Sequence, residues 1–276
     1  MDINFLPNSK RSARAPNLLF NNNLPNSKRS QITVFIILAS AIVLVIGIGY
    51  YMFSNQKSTN MQTNTNAVYS FVQLCLDETL RDGINFIALS GGYYNVPILS
   101  TNYFIYTVPY YFVNKESHVP SLFIIEQEID NYIEDNLIFC LQDFSNFKDK
   151  IVESGEIISK TIIDDNLIMV SVDYPLKVTS GEDIIEFSNF SSSTEINLKK
   201  AYDIAYRVIE QQRLYPDEIP LGFTAFLAYQ EGFEFETITV GEDVIYSIIF
   251  ESNSIKPLIY NFAINYNETK GNETNL

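Results

Sequence analysis

Tryptophan is absent from this 276-residue chain, histidine occurs once and cysteine twice. The single His118 excludes metal sites built from several imidazoles, and any serine or cysteine triad would have to recruit that one ring. It precedes Val119-Pro120 and reads as a solvated loop residue. No G-x-S-x-G elbow, Walker loop or G-x-G-x-x-G turn is present, so neither a nucleophile elbow nor a nucleotide or other cofactor is expected. Basic residues are scarce, with 18 Lys and Arg against 33 Asp and Glu. That balance argues against nucleic-acid binding, which needs basic patches to displace counterions.

Against these absences stands one long apolar run. Residues 32–53 read ITVFIILASAIVLVIGIGYYMF, 22 residues without a charge. As a helix the run is about 33 Å long, enough to cross the hydrocarbon core of a bilayer. Tyr50 and Tyr51 fall where an interfacial aromatic belt is expected. Gly47 and Gly49 are two residues apart, so the run carries no Gly-x-x-x-Gly dimer face. The run exceeds a signal-peptide core, and no A-x-A-like cleavage site follows Phe53. The bilayer is therefore the first expected partner, through residues 32–53.

Orientation follows from the flanks. Residues 1–31 hold Lys10, Arg11, Arg14, Lys28 and Arg29 against Asp2, whereas residues 54–276 hold 13 basic and 32 acidic residues. The positive-inside rule then leaves the N-terminal tail in the cytoplasm and puts the C-terminal part outside the cell. Leu-Pro-Asn-Ser-Lys-Arg-Ser occurs twice in the tail, at 6–12 and 24–30. The tail is Asn-rich and poor in large apolar groups, and is expected to be disordered. Its two basic heptapeptides either meet anionic headgroups or simply repeat a topology signal.

Residues 54–65 read as a polar tether. Beyond them, an α+β architecture is expected: a helical subdomain over 66–150, an α+β subdomain over 151–266 and a polar tail over 267–276. From Ala67, residues recur at helical spacing (Val68, Phe71, Val72, Cys75, Leu76, Thr79, Leu80, Ile84, Ile87) until Gly91-Gly92 supplies a stop. A second helix is expected from Pro120, with Leu122, Ile125, Ile129, Ile133, Leu137, Cys140, Leu141 and Phe144 on its apolar face. Between them Tyr103 to Val113 reads as extended chain broken at Pro109. Strands are expected at 157–163, 167–174, 184–190, 233–239, 244–250 and 258–266, as antiparallel meanders, with a helix over 199–213. A Pro216–Pro220 loop and a short apolar segment follow that helix. Gly-Glu-Asp opens strands at both 181 and 241, which is turn chemistry.

Cys75 and Cys140 each lie on the apolar face of an expected helix. Outside the cell they would form the one disulfide this chain allows, and inside it they would pack as buried thiols. The basic flank, the Gln31–Ile37 opening of the run, the Cys-Leu helix ending at Gly-Gly-Tyr, Val108-Pro-Tyr-Tyr and the second Cys-Leu helix resemble uncharacterised single-pass membrane proteins of small-genome (DPANN-type) archaea. The resemblance covers roughly residues 28–145; it implies topology and origin, and brings no activity with it. Lys28-Arg29-Ser30-Gln31 before the run also resembles the processing site of archaeal type IV pilin-like precursors. Those precursors carry an early Glu where this chain has Thr33-Val34-Phe35.

The adjacent acid pairs Asp164-Asp165, Glu182-Asp183 and Glu242-Asp243 are candidates for a Ca²⁺ site or a glycosidase pair. Each sits in an expected turn, where a solvated acidic face accounts for it as well. No catalytic, cofactor-binding or metal residue is nominated from them. Asn189, Asn267 and Asn272 fit the N-glycosylation pattern and all fall on the expected outer side. The functional expectation is a membrane-anchored cell-envelope module for binding or assembly, with an envelope protein or a glycan as partner. A pilin-like subunit and an anchored hydrolase are the alternatives.

Overall fold

The computed structural model describes residues 42–44, 67–251 and 256–266. The tail 1–31, the tether 54–65 and the C-terminal tail 267–276 lie outside the described residues. So does the apolar run, except Ile42, Val43 and Leu44, which are helical and exposed. Among the described residues no helix is long and apolar enough to cross a membrane.

The domain from residue 67 onward is α+β. Helix α1 occupies 67–89 and helix α2 Leu122–Leu141. Between them lie β1 (Ser100–Tyr103), β2 (Tyr106–Val113) and the short β3 (Glu116–Ser117). Four strands follow: β4 (Ile151–Ser154), β5 (Ile158–Ile163), β6 (Leu167–Ser180) and β7 (Asp183–Glu195). The chain then forms α3 (Leu198–Leu214), α4 (Leu221–Glu231), β8 (Glu234–Val240), β9 (Asp243–Phe250) and β10 (Leu258–Asn265).

The apolar periodicity of the two long helices becomes one interface. Val72, Leu76, Leu80, Ile84 and Ile87 of α1 and Ile125, Ile129, Ile133 and Leu137 of α2 are all fully buried. Cys75 and Cys140 are joined as a disulfide with their Cα atoms 5.6 Å apart. The helices also approach closely at Gly83, where a Cβ would stand 2.6 Å from the Tyr132 ring. A residue larger than glycine would push the helices apart there.

Two sheets pack on this pair. In the first, β6 is central, with β7 along its whole length on one side. On the other side β5 pairs with its first half and β4 with its second. In the second sheet the order is β1-β2-β10-β9-β8, with β3 beside β2. Its middle strands, β9 and β10, are buried on both faces, as their near-continuous apolar sequences require.

Several local expectations are corrected. The strand expected to end at Tyr174 runs through Pro175 to Ser180. Pro175 falls at a register shift, where the neighbour changes from β5 to β4, so no ladder bond needs its missing N–H. The extended segment is not broken at Pro109; the chain turns instead at Phe104-Ile105, and Pro109 lies within β2. The second helix begins two residues later than its proline suggests, because Ser121 caps it by accepting from the Ile124 N–H. The short apolar segment after Pro220 is helix α4. Pro220 accepts from Thr224 at its start, and Gly232, with φ of 68°, ends it.

The subdivision expected at residues 150 and 151 is crossed twice. Strand β2 pairs with β10, in parallel rather than in the expected meander. One buried cluster also contains residues of α1, α2, β6, α3 and β10 together. A single core therefore serves both halves of the sequence.

The disulfide closes a loop of 65 residues in sequence separation. On the chain-entropy account it stabilises the fold by about 4 kcal/mol. Cys75→Ser/Cys140→Ser is expected to lower the unfolding free energy by that amount, and the midpoint of chemical unfolding with it, with no loss of native helix content at low denaturant. An unchanged midpoint would show that α1 and α2 are held by packing alone.

Candidate interaction surface

The sequence-nominated residues scatter over the domain. Asp164-Asp165 lies between β5 and β6, Glu182-Asp183 at the β6–β7 turn and Glu242-Asp243 at the β8–β9 turn. Lys199 sits 2.9 Å from Asp165 and holds its exposed carboxyl below the usual range. Asp243 departs from the solvated expectation, since it accepts from the Tyr110 hydroxyl at 2.8 Å and the Asn265 amide at 2.6 Å. That pins β9 to its neighbours. His118 is exposed beside β3, and its N–H donates to the Tyr111 carbonyl. Asn189 is exposed on β7, while Asn267 and Asn272 lie outside the described residues. Among the described residues no group of three or more His, Cys, Asp or Glu is placed to hold a metal ion.

The carboxylates that do converge were not singled out by sequence. Glu126, Asp130 and Glu134 recur every four residues along α2 and face β5. Glu126 accepts from the Ile163 N–H at 2.9 Å and Glu134 from the Ser159 N–H at 2.7 Å. Asp130 accepts from the Thr161 hydroxyl at 2.7 Å and the Ser159 hydroxyl at 3.2 Å. The match is geometric: four residues of helix rise about 6 Å, close to the advance of two strand residues. Alternate residues 163, 161 and 159 of the outer strand edge thus meet successive carboxylates. This ladder does the work of a further strand and closes an edge that would otherwise recruit another chain.

Burial raises the Asp130 pKa above its usual value, partly opposed by the Thr161 and Ser159 hydroxyls. The ladder is a seam inside the fold, since its carboxylates are spent on β5. Helix α1 makes a similar contact on β7, where Gln73 donates to the Ser191 carbonyl at 2.7 Å and Asp77 accepts from the Ser192 hydroxyl.

The outward-facing chemistry lies elsewhere. Helix α4 (LGFTAFLAYQE) has Thr224 and Leu227 buried and Phe223 and Ala228 half-buried against the core. Gly222, Ala225, Phe226 and Tyr229 form a second stripe at spacings of three and four, and all four are exposed, Tyr229 by 88%. An ordinary surface helix carries charge on that face. Leu214, Tyr215, Ile219 and Leu221, also exposed, extend the patch across the α3–α4 turn. A shallow depression of about 410 Å³ beside it is lined by Arg207, Glu210, Arg213 and Phe223. Its cations are already engaged, Arg213 with Glu210 at 2.9 Å and Arg207 with Glu231 at 3.0 Å. The surface as built can bury apolar and aromatic groups, with the exposed Asp217 and Glu218 in the α3–α4 turn beside them.

No protein-family model, curated protein or solved structure matches this chain. The reading of the surface therefore rests on its own chemistry.

The ladder generates a test with a sign. Asp130→Ala strands the buried Thr161 hydroxyl and should cost about 1–3 kcal/mol. Asp130→Asn keeps an acceptor there and should cost less. Because the folded-state pKa of Asp130 is raised, its ionisation disfavours the folded state. The wild type should then lose stability relative to Asp130→Asn as pH rises from 3.8 through the raised value. Urea melts across that window check both; a wild type that gains on the variant as pH rises contradicts the assignment.

Proposed function

We propose that this chain is a single-pass cell-envelope protein. Residues 32–53 cross the membrane, the basic tail stays in the cytoplasm, and the acidic α+β domain faces outward as a binding or assembly module. The reading is carried by helix α4, whose outward stripe of Gly222, Ala225, Phe226 and Tyr229 leaves apolar surface uncovered on a strongly acidic domain. Contiguous exposed apolar surface of this kind marks interaction sites. The charge split across the apolar run supports the orientation, and the Cys75–Cys140 disulfide supports an oxidising surrounding. The exposed Asn189 is compatible with glycosylation on that side.

The partner that fits the stripe is another envelope protein, docking an apolar or aromatic face. Aromatic Tyr229 and Phe226 also suit the flat face of a sugar ring, which keeps a glycan as the alternative partner. A pilin-like subunit is the second reading, favoured by Lys28-Arg29-Ser30-Gln31 directly before the apolar run. N-terminal sequencing that begins at Met1 removes it.

A photo-crosslinking residue placed at Tyr229 in whole cells should give a discrete adduct, and the same residue at Glu182 in the β6–β7 turn should give none. Phe226→Glu added to the Tyr229 probe should abolish the adduct while the domain keeps its melting temperature. Equal crosslinking at both positions, or none at Tyr229, speaks against the stripe as the docking face. Protease added to intact cells should remove a C-terminal epitope and spare an N-terminal one; the reverse pattern overturns the orientation.

A further inference from the structure

The apolar run at 32–53 is not the longest stretch of this chain without a charged side chain. Residues 83–114 hold 32 residues with no Asp, Glu, Lys or Arg. The buried end of α1 accounts for the first part of it. The remainder forms the β1–β2 hairpin, and at its tip the absence of charge coincides with exposure: Phe104 is 85% exposed and Ile105 87%. Ile98, 100% exposed, precedes β1 at the other end of the hairpin.

The β1–β2, β2–β3, β6–β7 and β8–β9 hairpins all close with two residues between paired strand ends. In each, the first turn residue has positive φ, at 54° for Phe104 and Asn114, 65° for Gly181 and 66° for Gly241. Glycine adopts that conformation freely and asparagine more readily than most, whereas a bulky side chain there is strained. Two of the hairpins are Gly-Glu and one is Asn-Lys, all polar, and the fourth is Phe-Ile. The β1–β2 tip accepts backbone strain and exposes two large apolar groups where the same fold elsewhere uses glycine or asparagine and a charge. Strain retained at an exposed apolar turn points to a use outside the fold.

We propose that the β1–β2 tip dips into the interfacial layer of the bilayer, as a second membrane contact of the anchored domain. This rests on the anchored reading above. Phe104 and Ile105 enter among the upper acyl chains. Tyr103 and Tyr106 flank the turn, and tyrosine is the residue type that sits well at headgroup level, with an apolar ring and a polar tip. The charge pattern selects this occupant. Residues 54–276 have 32 acids against 13 bases and are repelled by anionic headgroups, and the one long charge-free segment of the domain carries three of its four most exposed large apolar residues. Thirteen residues, 54–66, separate the apolar run from α1, and thirteen residues reach at most about 45 Å. The bilayer is thus held at high local concentration, where even a weak contact forms.

Because the chain contains no Trp, single-Trp variants of the full chain in phosphatidylcholine vesicles report the contact without background. Phe104→Trp should emit at shorter wavelength than free Trp in water and lose most of its emission when brominated phosphatidylcholine replaces the ordinary lipid. Phe35→Trp, inside the run, should be quenched in the same way, and Tyr229→Trp on α4 should not. Tyr106→Trp, beside the turn, should also be quenched. Adding Phe104→Gly and Ile105→Glu, the residues of the two Gly-Glu hairpins, should free it from quenching without lowering the melting temperature. A Phe104→Trp emission indifferent to bromine while Phe35→Trp is quenched overturns the contact and spares the anchor. Equal quenching at Tyr229→Trp overturns its specificity to the tip. Absence of quenching at Phe35→Trp overturns the anchored reading itself, and this contact with it.

Discussion

The pairing of α1 with α2 is the constraint on which the other elements depend. Cys75–Cys140 fixes one point of that pair and the Gly83–Tyr132 approach fixes another. From this pair α2 presents Glu126, Asp130 and Glu134 to β5, and α1 presents Gln73 and Asp77 to β7. The first sheet is thereby held by polar contacts at both outer strands while its apolar face lies on the helices. If α2 turned relative to α1, the carboxylates would leave the outward amides of β5, and three buried or half-buried partners would lose their acceptors. A desolvated donor left alone costs more than the bond was worth, so the ladder specifies register more strongly than it adds stability.

The second sheet is tied to the same pair through a tyrosine relay. The hydroxyl of Tyr111 donates to the Gly91 carbonyl at the end of α1, so the Tyr260 hydroxyl, 2.6 Å away, donates to Tyr111. Desolvation pushes both phenols above their ordinary pKa and keeps them neutral donors. Phe262 stacks between Tyr111 and Tyr246, with ring centroids 5.3 and 5.1 Å apart. Asn261 donates to the Leu89 carbonyl, again at the end of α1. Strand β10, from the far end of the chain, is thus bonded to the turn that ends the first helix. Because of that long-range closure, the chain does not divide at residue 150.

Helices α1, α2 and α3 were legible because apolar residues at spacings of three and four line up on one side of a helix and of no other regular element. Most β-strands of the second half were legible from alternation and Gly-Glu turns, but β4 was not, and β6 and β7 run six and five residues past their expected ends. What escaped were features whose meaning depends on a partner distant in sequence. Glu126, Asp130 and Glu134 look like an ordinary solvated helix face until β5 lies beside them. Pro109 reads as a strand breaker, and the strand over 167–174 stops short of Pro175, because a proline's tolerance depends on which neighbour is present. Helix α4 is apolar on both faces, so its eleven residues carry no helical periodicity to find. The exposed tip at Phe104 was hidden for the same reason, since an aromatic, β-branched segment looks buried in sequence.

The apolar run, the charge split, the uncovered face of α4 and the charge-free hairpin support one physical situation, an acidic domain held outside a membrane and folded in an oxidising medium. The redox state of Cys75 and Cys140 in the native protein tests it most directly. Intact cells quenched with a membrane-permeant alkylating reagent, with the protein then unfolded in the same reagent without reductant and weighed, should yield a chain carrying no alkyl group. A chain alkylated at both cysteines would contradict the account, because α1 and α2 would then be packed around free thiols in a reducing compartment.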